Sequence, residues 1–172
     1  MKDGDSSAQK ALYCTYAGYL TGVCARYLSD PDDVKDVLHD SFLHIFSSMR
    51  TFEYRGSGSL KAWLTKIVIN ESLQFIRHAY RSEIFSAPLE AEAAEDEEPP
   101  QLVGISMEIL HKLIRELPPG YRTVFNLYVF ERKTHKEIAS ILNIKEASSA
   151  SQFHRAKSLL AAKIKNLQSN NP

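Results

Sequence analysis

Residues 134–164, THKEIASILNIKEASSASQFHRAKSLLAAKI, decide the fold class. Thr134 and Glu137 form a T-x-x-E capping box, in which each end of the motif satisfies an orphan donor of the other, and the helix it opens runs to about Leu142. Asn143 tolerates left-handed backbone, and a second helix begins near Lys145. Helix, tight turn and helix at this length make a helix-turn-helix. In the second helix Phe153, Ala156, Leu160 and Ile164 align as a buried seam. Ser148, Ser151, Arg155 and Ser158 fall opposite, with Gln152 on the flank. Small hydroxyls, an amide and a guanidinium suit base edges in a major groove, although helical hairpins that bind nothing share this spacing.

The residues just before this motif extend the same domain. Ser106 is placed to cap a helix whose apolar stripe is Leu110, Leu113, Ile114 and Leu117, ended by Pro118-Pro119. A short helix then offers Val124, Phe125 and Tyr128 to the core. Upstream the composition changes. Residues 82–105 are rich in Ala, Glu and Pro with little to bury, and read as an acidic, extended linker; the same carboxylates would also suit mimicry of nucleic acid. The net charge of zero is therefore a cancellation. Residues 1–82 carry ten Lys/Arg against nine Asp/Glu, 83–106 none against seven, and 107–172 eleven against five. A basic C-terminal third beside an acidic spacer fits a tethered nucleic-acid-binding module.

Upstream of the linker lies a second informative stretch, TFEYRGSGSLKAWLTKIVINESLQFIRHAYR, residues 51–81. Phe52, Tyr54 and Arg55 precede two glycines, Gly56 and Gly58, that keep the segment pliable. Planar rings for stacking and a cation for phosphate are the groups that hold unpaired bases. From Leu60 the pattern is helical at about 100° per residue, with Leu60, Leu64, Ile67, Val68 and Phe75 on one side. Lys66, Asn70 and Arg77 share another face, with Gln74 and Trp63 at its edge, a cationic and amide-bearing surface suited to duplex DNA. The same residues also suit a solvated face behind a loop.

At the N-terminus, an apolar stripe of Leu12, Tyr16, Tyr19, Leu20, Val23 and Tyr27 predicts a helix from about Ser7 to Leu28 with that stripe in the core. Ser29-Asp30 breaks it, and Pro31 with Asp32 and Asp33 suits the first turn of a second helix reaching about Ser48. There Val34, Val37, Leu38, Phe42 and Ile45 face inward. Asp36, Asp40 and Leu43 face outward, with His39 at the margin. A leucine amid carboxylates has the make-up of a partner surface with an apolar centre and a charged surround. Paired catalytic carboxylates do not fit, because Asp36 and Asp40 lie one turn apart on an exposed helix without apolar enclosure.

Of the 172 residues, no apolar run is long enough to span a membrane, and MKDGDSSAQK lacks a signal core, so a cytoplasmic protein is expected. Cys14 and Cys24 are about 15 Å apart along one helix, too far for a disulfide, and are expected to be reduced core residues. No CxxC pair, metal-ligand spacing, glycine-rich phosphate cradle or nucleophile elbow occurs, so neither cofactor nor enzymatic activity is expected. The Asn70-Glu71-Ser72 sequon lies within a helix of such a chain and reads as chance.

Three motifs carry a resemblance. FEYR at 52–55, the Gly/Ser loop and L-x-x-WL-x-x-I-x-x-N-x-x-x-x-x-x-R resemble the second conserved region of bacterial RNA polymerase sigma factors of the extracytoplasmic-function group. DDVKDVLHD at 32–40 is similar to the D-x-x-D-x-x-Q-[DE] motif by which those factors grip the coiled coil of the largest polymerase subunit. Residues 117–160, LPPGYRTVFNLYVFERKTHKEIASILNIKEASSASQFHRAKSLL, resemble the fourth region. The chain departs from the family pattern at His39, Gln74, Lys145, Ala147 and Ala150, which stand where Gln, Asp, Ser, Gly and often a basic residue are usual.

The resemblance implies an all-α protein of two small helical domains, 1–81 and 106–172, joined by the acidic linker 82–105. It implies that Asp36, His39 and Asp40, with Leu43 among them, contact core RNA polymerase. Phe52, Tyr54 and Arg55 then belong to a loop that captures a flipped base of the minus-ten promoter element, while Lys66, Asn70 and Arg77 meet the upstream duplex. Ser148, Ser151, Gln152, His154 and Arg155 become minus-thirty-five contacts. Core RNA polymerase, promoter DNA and an anti-sigma factor are the implied partners. An ordinary helix-turn-helix regulator, or a degenerate paralogue that only sequesters a partner, would share the C-terminal motif, but a duplex-reading regulator has no need of the aromatic loop.

Overall fold

A computed structural model describes residues 6–80 and 106–169, so the expected linker at 82–105 lies outside the described residues. Among those described there are seven α-helices and no strand. The chain divides into two compact units between Ile76 and Arg77.

The first unit is built on three helices, α1 (Ser6–Cys24), α2 (Pro31–Ser48) and α3 (Ser59–Ala79). The α1 helix ends four residues before the expected Leu28, and hydrogen-bonded turns carry the chain to that residue. Asp30 then starts α2 as its N-cap, its carboxylate accepting the N–H groups of Asp32 at 2.8 Å and Asp33 at 3.4 Å, with Pro31 where no donor is needed. Cys24 lies where the three helices meet: its Sγ is 3.9 Å from the Val34 carbonyl of α2, and Ser72 Oγ of α3 is 3.6 Å away. The buried side chains flanking this point are Leu20 and Val23 from α1, Val37, Phe42 and Ile45 from α2, and Leu64, Val68, Leu73 and Ile76 from α3. Two polar bridges brace the rim, Tyr19 hydroxyl to Thr65 Oγ1 at 3.1 Å and His44 Nδ1 to Glu71 Oε1 at 2.7 Å.

Two core assignments change here. Tyr19 is 40% exposed, because Leu20 takes the inward position and the phenol finds its polar partner at the rim, with Lys61 Nζ 4.1 Å above its ring. Cys14 is exposed, since the same turn of α1 is held by Leu12 and by Tyr13, whose ring lies tilted 4.7 Å from that of Phe42. Phe75 is only half-buried, and the α3 core is completed by Ser72, Leu73 and Ile76 instead.

The second unit contains α4 (Met107–Arg115), α5 (Pro119–Val129), α6 (His135–Leu142) and α7 (Glu146–Ser169). Ser106 caps α4 by accepting the Ile109 N–H at 3.2 Å. Leu113, Ile114 and Leu117 pack with Ala156, Leu160 and Ile164 of α7, and Leu110, Tyr121, Phe125 and Phe130 close around them. Val124, Leu127, Ile138 and Leu142 are also buried. Arg122 is buried, and its Nη1 donates to the carbonyls of Arg115 at 2.7 Å and Leu117 at 3.3 Å. A cation thus satisfies the C-terminal end of α4, where the helix dipole is negative. Tyr128, expected inside, is 40% exposed, with its ring 4.3 Å from Phe153 and 4.7 Å from His135. Leu127 takes the core position, and the tyrosine covers the edge of the hairpin.

The capping box of α6 is complete. Thr134 N–H donates to Glu137 Oε2 at 2.8 Å, and Glu137 N–H donates to Thr134 Oγ1 at 3.2 Å. Asn143 turns the chain with φ 55°, ψ 49°, and Ile144 N–H closes on the Ala139 carbonyl at 3.0 Å before α7 begins.

Burial pushes the Cys24 thiol up, against a smaller lowering by Ser72, so it is a poor nucleophile within the fold. A thiol-reactive dye should modify Cys14 quickly in the native protein and Cys24 only after denaturant is added; equal rates without denaturant would contradict this packing. Glu137 is the acid-sensitive joint. The Thr134 backbone N–H, reinforced by its hydroxyl, holds the carboxyl below its ordinary 4.5. A depressed folded-state value means that its stabilisation is complete above the unfolded value and is lost as pH falls through the folded one. Glu137→Gln should therefore lower the melting temperature at neutral pH and narrow the gap between neutral and acidic melts followed by circular dichroism. An unchanged gap would show that the ionised carboxylate contributes nothing beyond the bonds an amide could make.

Candidate functional site

On α2, positions 36, 39, 40 and 43 form one outward stripe, because 36, 40 and 43 are spaced by four and three residues and 39 lies three from 36 and four from 43. Asp36, His39 and Asp40 are exposed, and Leu43 is 56% exposed while Phe42 beside it is buried. An apolar side chain left in water among carboxylates and an imidazole has no role in this unit's own core. The stripe can receive an apolar knob and cationic or amide partners around it.

Between α2 and α3, a single 3₁₀ turn at Met49–Thr51 leads into the loop. Phe52 is half-buried against Trp63, with ring centroids 5.3 Å apart. Tyr54 is 75% exposed. Arg55 pairs with Glu53 at 2.9 Å, and its backbone N–H donates to Ser59 Oγ at 3.2 Å. Ser59 Oγ in turn donates to the Gly56 carbonyl at 2.7 Å, which ties the loop to the first turn of α3. Gly56 and Gly58 have φ of 101° and 83°, conformations that L side chains rarely adopt. The arrangement presents one outward ring and one cation on a closed loop. Lys66, Asn70, Gln74 and Arg77 follow as an exposed stripe along α3.

On α7, Ser148, Ser151, His154 and Arg155 are half-buried, and Ala147, Ala150, Lys157 and Ser158 are exposed. Gln152 departs from the expectation. It is 1% exposed and lies on the buried side with Ser149 and Ala156, so its amide belongs to the core and does not face a groove. Gln152 and Ala156 lie one helical turn apart, and α7 packs on both α5 and α6, so its buried arc takes in the flank assigned from periodicity. Ser149 Oγ meets His135 Nδ1 at 3.0 Å, joining the two helices of the hairpin. Arg155 Nη1 lies 3.2 Å from the Tyr121 hydroxyl of α5. Lys157, with Nζ 5.7 Å from the Phe153 ring, is a further cation three residues beyond His154 that sequence reading passed over. Its helical spacing was the available signal, whereas nothing local marks the Tyr121–Arg155 pair.

Among the described residues no group of three or more His, Cys, Asp or Glu side chains gathers as a metal site, and no helix is long and apolar enough to cross a membrane. What the three surfaces offer is recognition: carboxylates around a leucine, a ring beside a cation, and hydroxyls beside a guanidinium.

Comparison with known proteins bears on the same segments. Residues 12–82 match the family model for sigma-70 region 2, and residues 107–160 match that for sigma-70 region 4. The chain is 25% identical over 178 aligned positions to the ECF RNA polymerase sigma-E factor of Haemophilus influenzae, covering 97% of this chain and 93% of that one. It is 26% identical to the RNA polymerase sigma-H factor of Pseudomonas aeruginosa, covering 90% and 84%. Among solved structures, the Bartonella quintana sigma factor RpoE, crystallised with the anti-sigma factor NepR, superposes with a TM-score of 0.51 at 20% identity, over 91% of this chain and 96% of that one. That superposition speaks for the fold. With both family regions matched in order and relatives aligned along nearly its whole length, the chain belongs to the sigma-70 family, in its extracytoplasmic-function group.

Proposed function

We propose that this chain directs core RNA polymerase to promoters, with residues 1–81 serving polymerase binding and minus-ten opening, 82–105 linking, and 106–172 reading the minus-thirty-five element. The observation that carries the reading is Leu43, 56% exposed within the stripe of Asp36, His39 and Asp40. A leucine ringed by carboxylates and an imidazole has the make-up of a partner surface with an apolar centre and a charged surround. The loop assignment narrows to Tyr54 as the stacking ring and Arg55 as the cation, with Phe52 supporting them from its contact with Trp63. Lys66, Asn70 and Arg77 then meet the upstream duplex. On α7 the reading set is Ser148, Ser151, His154 and Arg155. The place of action is the cytoplasm, where the polymerase works, and an anti-sigma factor is the expected negative partner.

The direct test is transcription from a pooled genomic library by core polymerase with and without the chain, transcript starts being mapped by sequencing. New starts sharing two spaced elements are expected. Asp36→Arg combined with Asp40→Arg should abolish both these starts and co-purification with core enzyme, while helical content by circular dichroism stays unchanged. Retained co-purification would move the polymerase contact off α2.

Opening and duplex reading should also separate. Tyr54→Ala removes stacking worth about 1–3 kcal/mol per base and no proposed duplex contact. The closed complex should persist while permanganate reactivity of minus-ten thymines disappears, and a pre-melted bubble template should restore part of the transcription. Wild-type opening by Tyr54→Ala would remove the loop from the mechanism.

A further inference from the structure

Arg155 combines two properties that are rarely joined in a side chain meant to read DNA. It projects from the α7 face that carries Ser148 and Ser151, yet it is half-buried and bonded inward to a side chain 34 residues earlier in the chain. That side chain, Tyr121, belongs to the third residue of α5, and its ring packs against the core formed by Leu113, Ile114, Leu117, Ala156, Leu160 and Ile164. The phenol oxygen accepts the Nη1–H of Arg155 at 3.2 Å. The acceptor is held by the core, so the guanidinium plane is referred to α5 as well as to its own flexible stem.

We propose that Tyr121 is a positioning residue for promoter reading, fixing the Arg155 guanidinium in the orientation from which it contacts the minus-thirty-five element. The inference rests on the assignment of α7 to that element. A guanidinium has five N–H donors in a rigid fork, so a bond to one phenol leaves capacity for a base or phosphate while removing much of the freedom a free arginine would lose on binding. The device matters more here because Ala150, on the same helix, supplies no cation. Loss of the phenol oxygen should therefore damage discrimination among bases more than attraction to DNA, since the charge of Arg155 remains and only its aim is lost.

The experiment uses holoenzyme reconstituted from core polymerase and the full chain, and a promoter duplex library randomised across the minus-thirty-five region. Enrichment at each base position is compared for wild type, Tyr121→Phe, Arg155→Ala, Arg155→Lys and the double variant Tyr121→Phe with Arg155→Ala, alongside melting temperatures. Tyr121→Phe deletes one oxygen and keeps the packed ring, so its melting temperature should match wild type. It should flatten the same base position as Arg155→Ala, by roughly 3–10-fold in enrichment, and add nothing to Arg155→Ala in the double variant. Arg155→Lys, which keeps charge but not the fork, should resemble Tyr121→Phe. Wild-type preference in Tyr121→Phe beside a flattened position in Arg155→Ala would overturn the positioning role while leaving the α7 assignment standing. Unchanged preference in Arg155→Ala would overturn the assignment and the inference together. Flattening by Tyr121→Phe with a lowered melting temperature, and additive in the double variant, would reduce Tyr121 to packing and also overturn the proposal.

Discussion

A helix of eight residues is too short to persist in water by its own hydrogen bonds, and α6 has eight. What holds it is the reciprocal bonding of Thr134 and Glu137 at one end, the left-handed Asn143 at the other, and Ile138 and Leu142 pressed into the core between them. Everything on α7 inherits its aim from this short strut. The turn at Asn143 sets where α7 begins, and the His135–Ser149 bond ties the first turn of one helix to the first turn of the other. Arg122 does the same service further back, closing the C-terminal carbonyls of α4 so that α5 can start at the second of two prolines. The second unit thus sets three short helices of 8 to 11 residues beside the 24-residue α7, and the packing of Leu113, Ile114 and Leu117 on α7 completes what the closed ends of α4 and α6 begin.

The first unit solves a different problem. Its helices are 18 to 21 residues long, so their ends matter less and their faces matter more. Cys24, Ser41 and Ser72 are small enough to let the helices approach, and each serine hydroxyl donates to the carbonyl one turn before it. With the interior settled by small groups, α2 and α3 can each give a whole side to the outside. The α2 side is acidic around a leucine, and the α3 side is cationic and amide-bearing. A zero net charge therefore hides surfaces of opposite sign on successive helices, each able to attract a partner of the other sign over about one Debye length.

The local chemistry of this fold was readable in the sequence, and its rim was not. Ser106, Thr134 with Glu137, and Asn143 act on atoms within a few residues of themselves, so their roles follow from spacing alone. The outward stripe of α2 was legible for the same reason, since an inward set of Val34, Val37, Phe42 and Ile45 leaves the rest no other side. Periodicity gives an angle around a helix but not the neighbour met there. Tyr19 and Tyr128 lie within one step of the inward direction, yet rest at the edge because a phenol can cover apolar surface while its hydroxyl stays wet. Gln152 went the other way, because α7 is covered by more than one helix and its buried arc is wider than a single seam. Phe52 could not be separated from Tyr54 by composition, and only the position of Trp63 distinguishes them. The partnership of Tyr121 with Arg155 depends on the packing of α5 against α7, which no local pattern encodes.

The loop before α3 carries a constraint of a stereochemical kind. A Cβ built on Gly56 or Gly58 meets nothing within 4 Å, so these positions are not glycine for want of room. The backbone there runs in the mirror image of the conformations open to ordinary residues. It follows that size is irrelevant at both sites and chirality is everything: a D-alanine introduced by chemical ligation would sit in the loop without strain, whereas its L enantiomer, with the same atoms and the same volume, would force the ring at Tyr54 to a new direction.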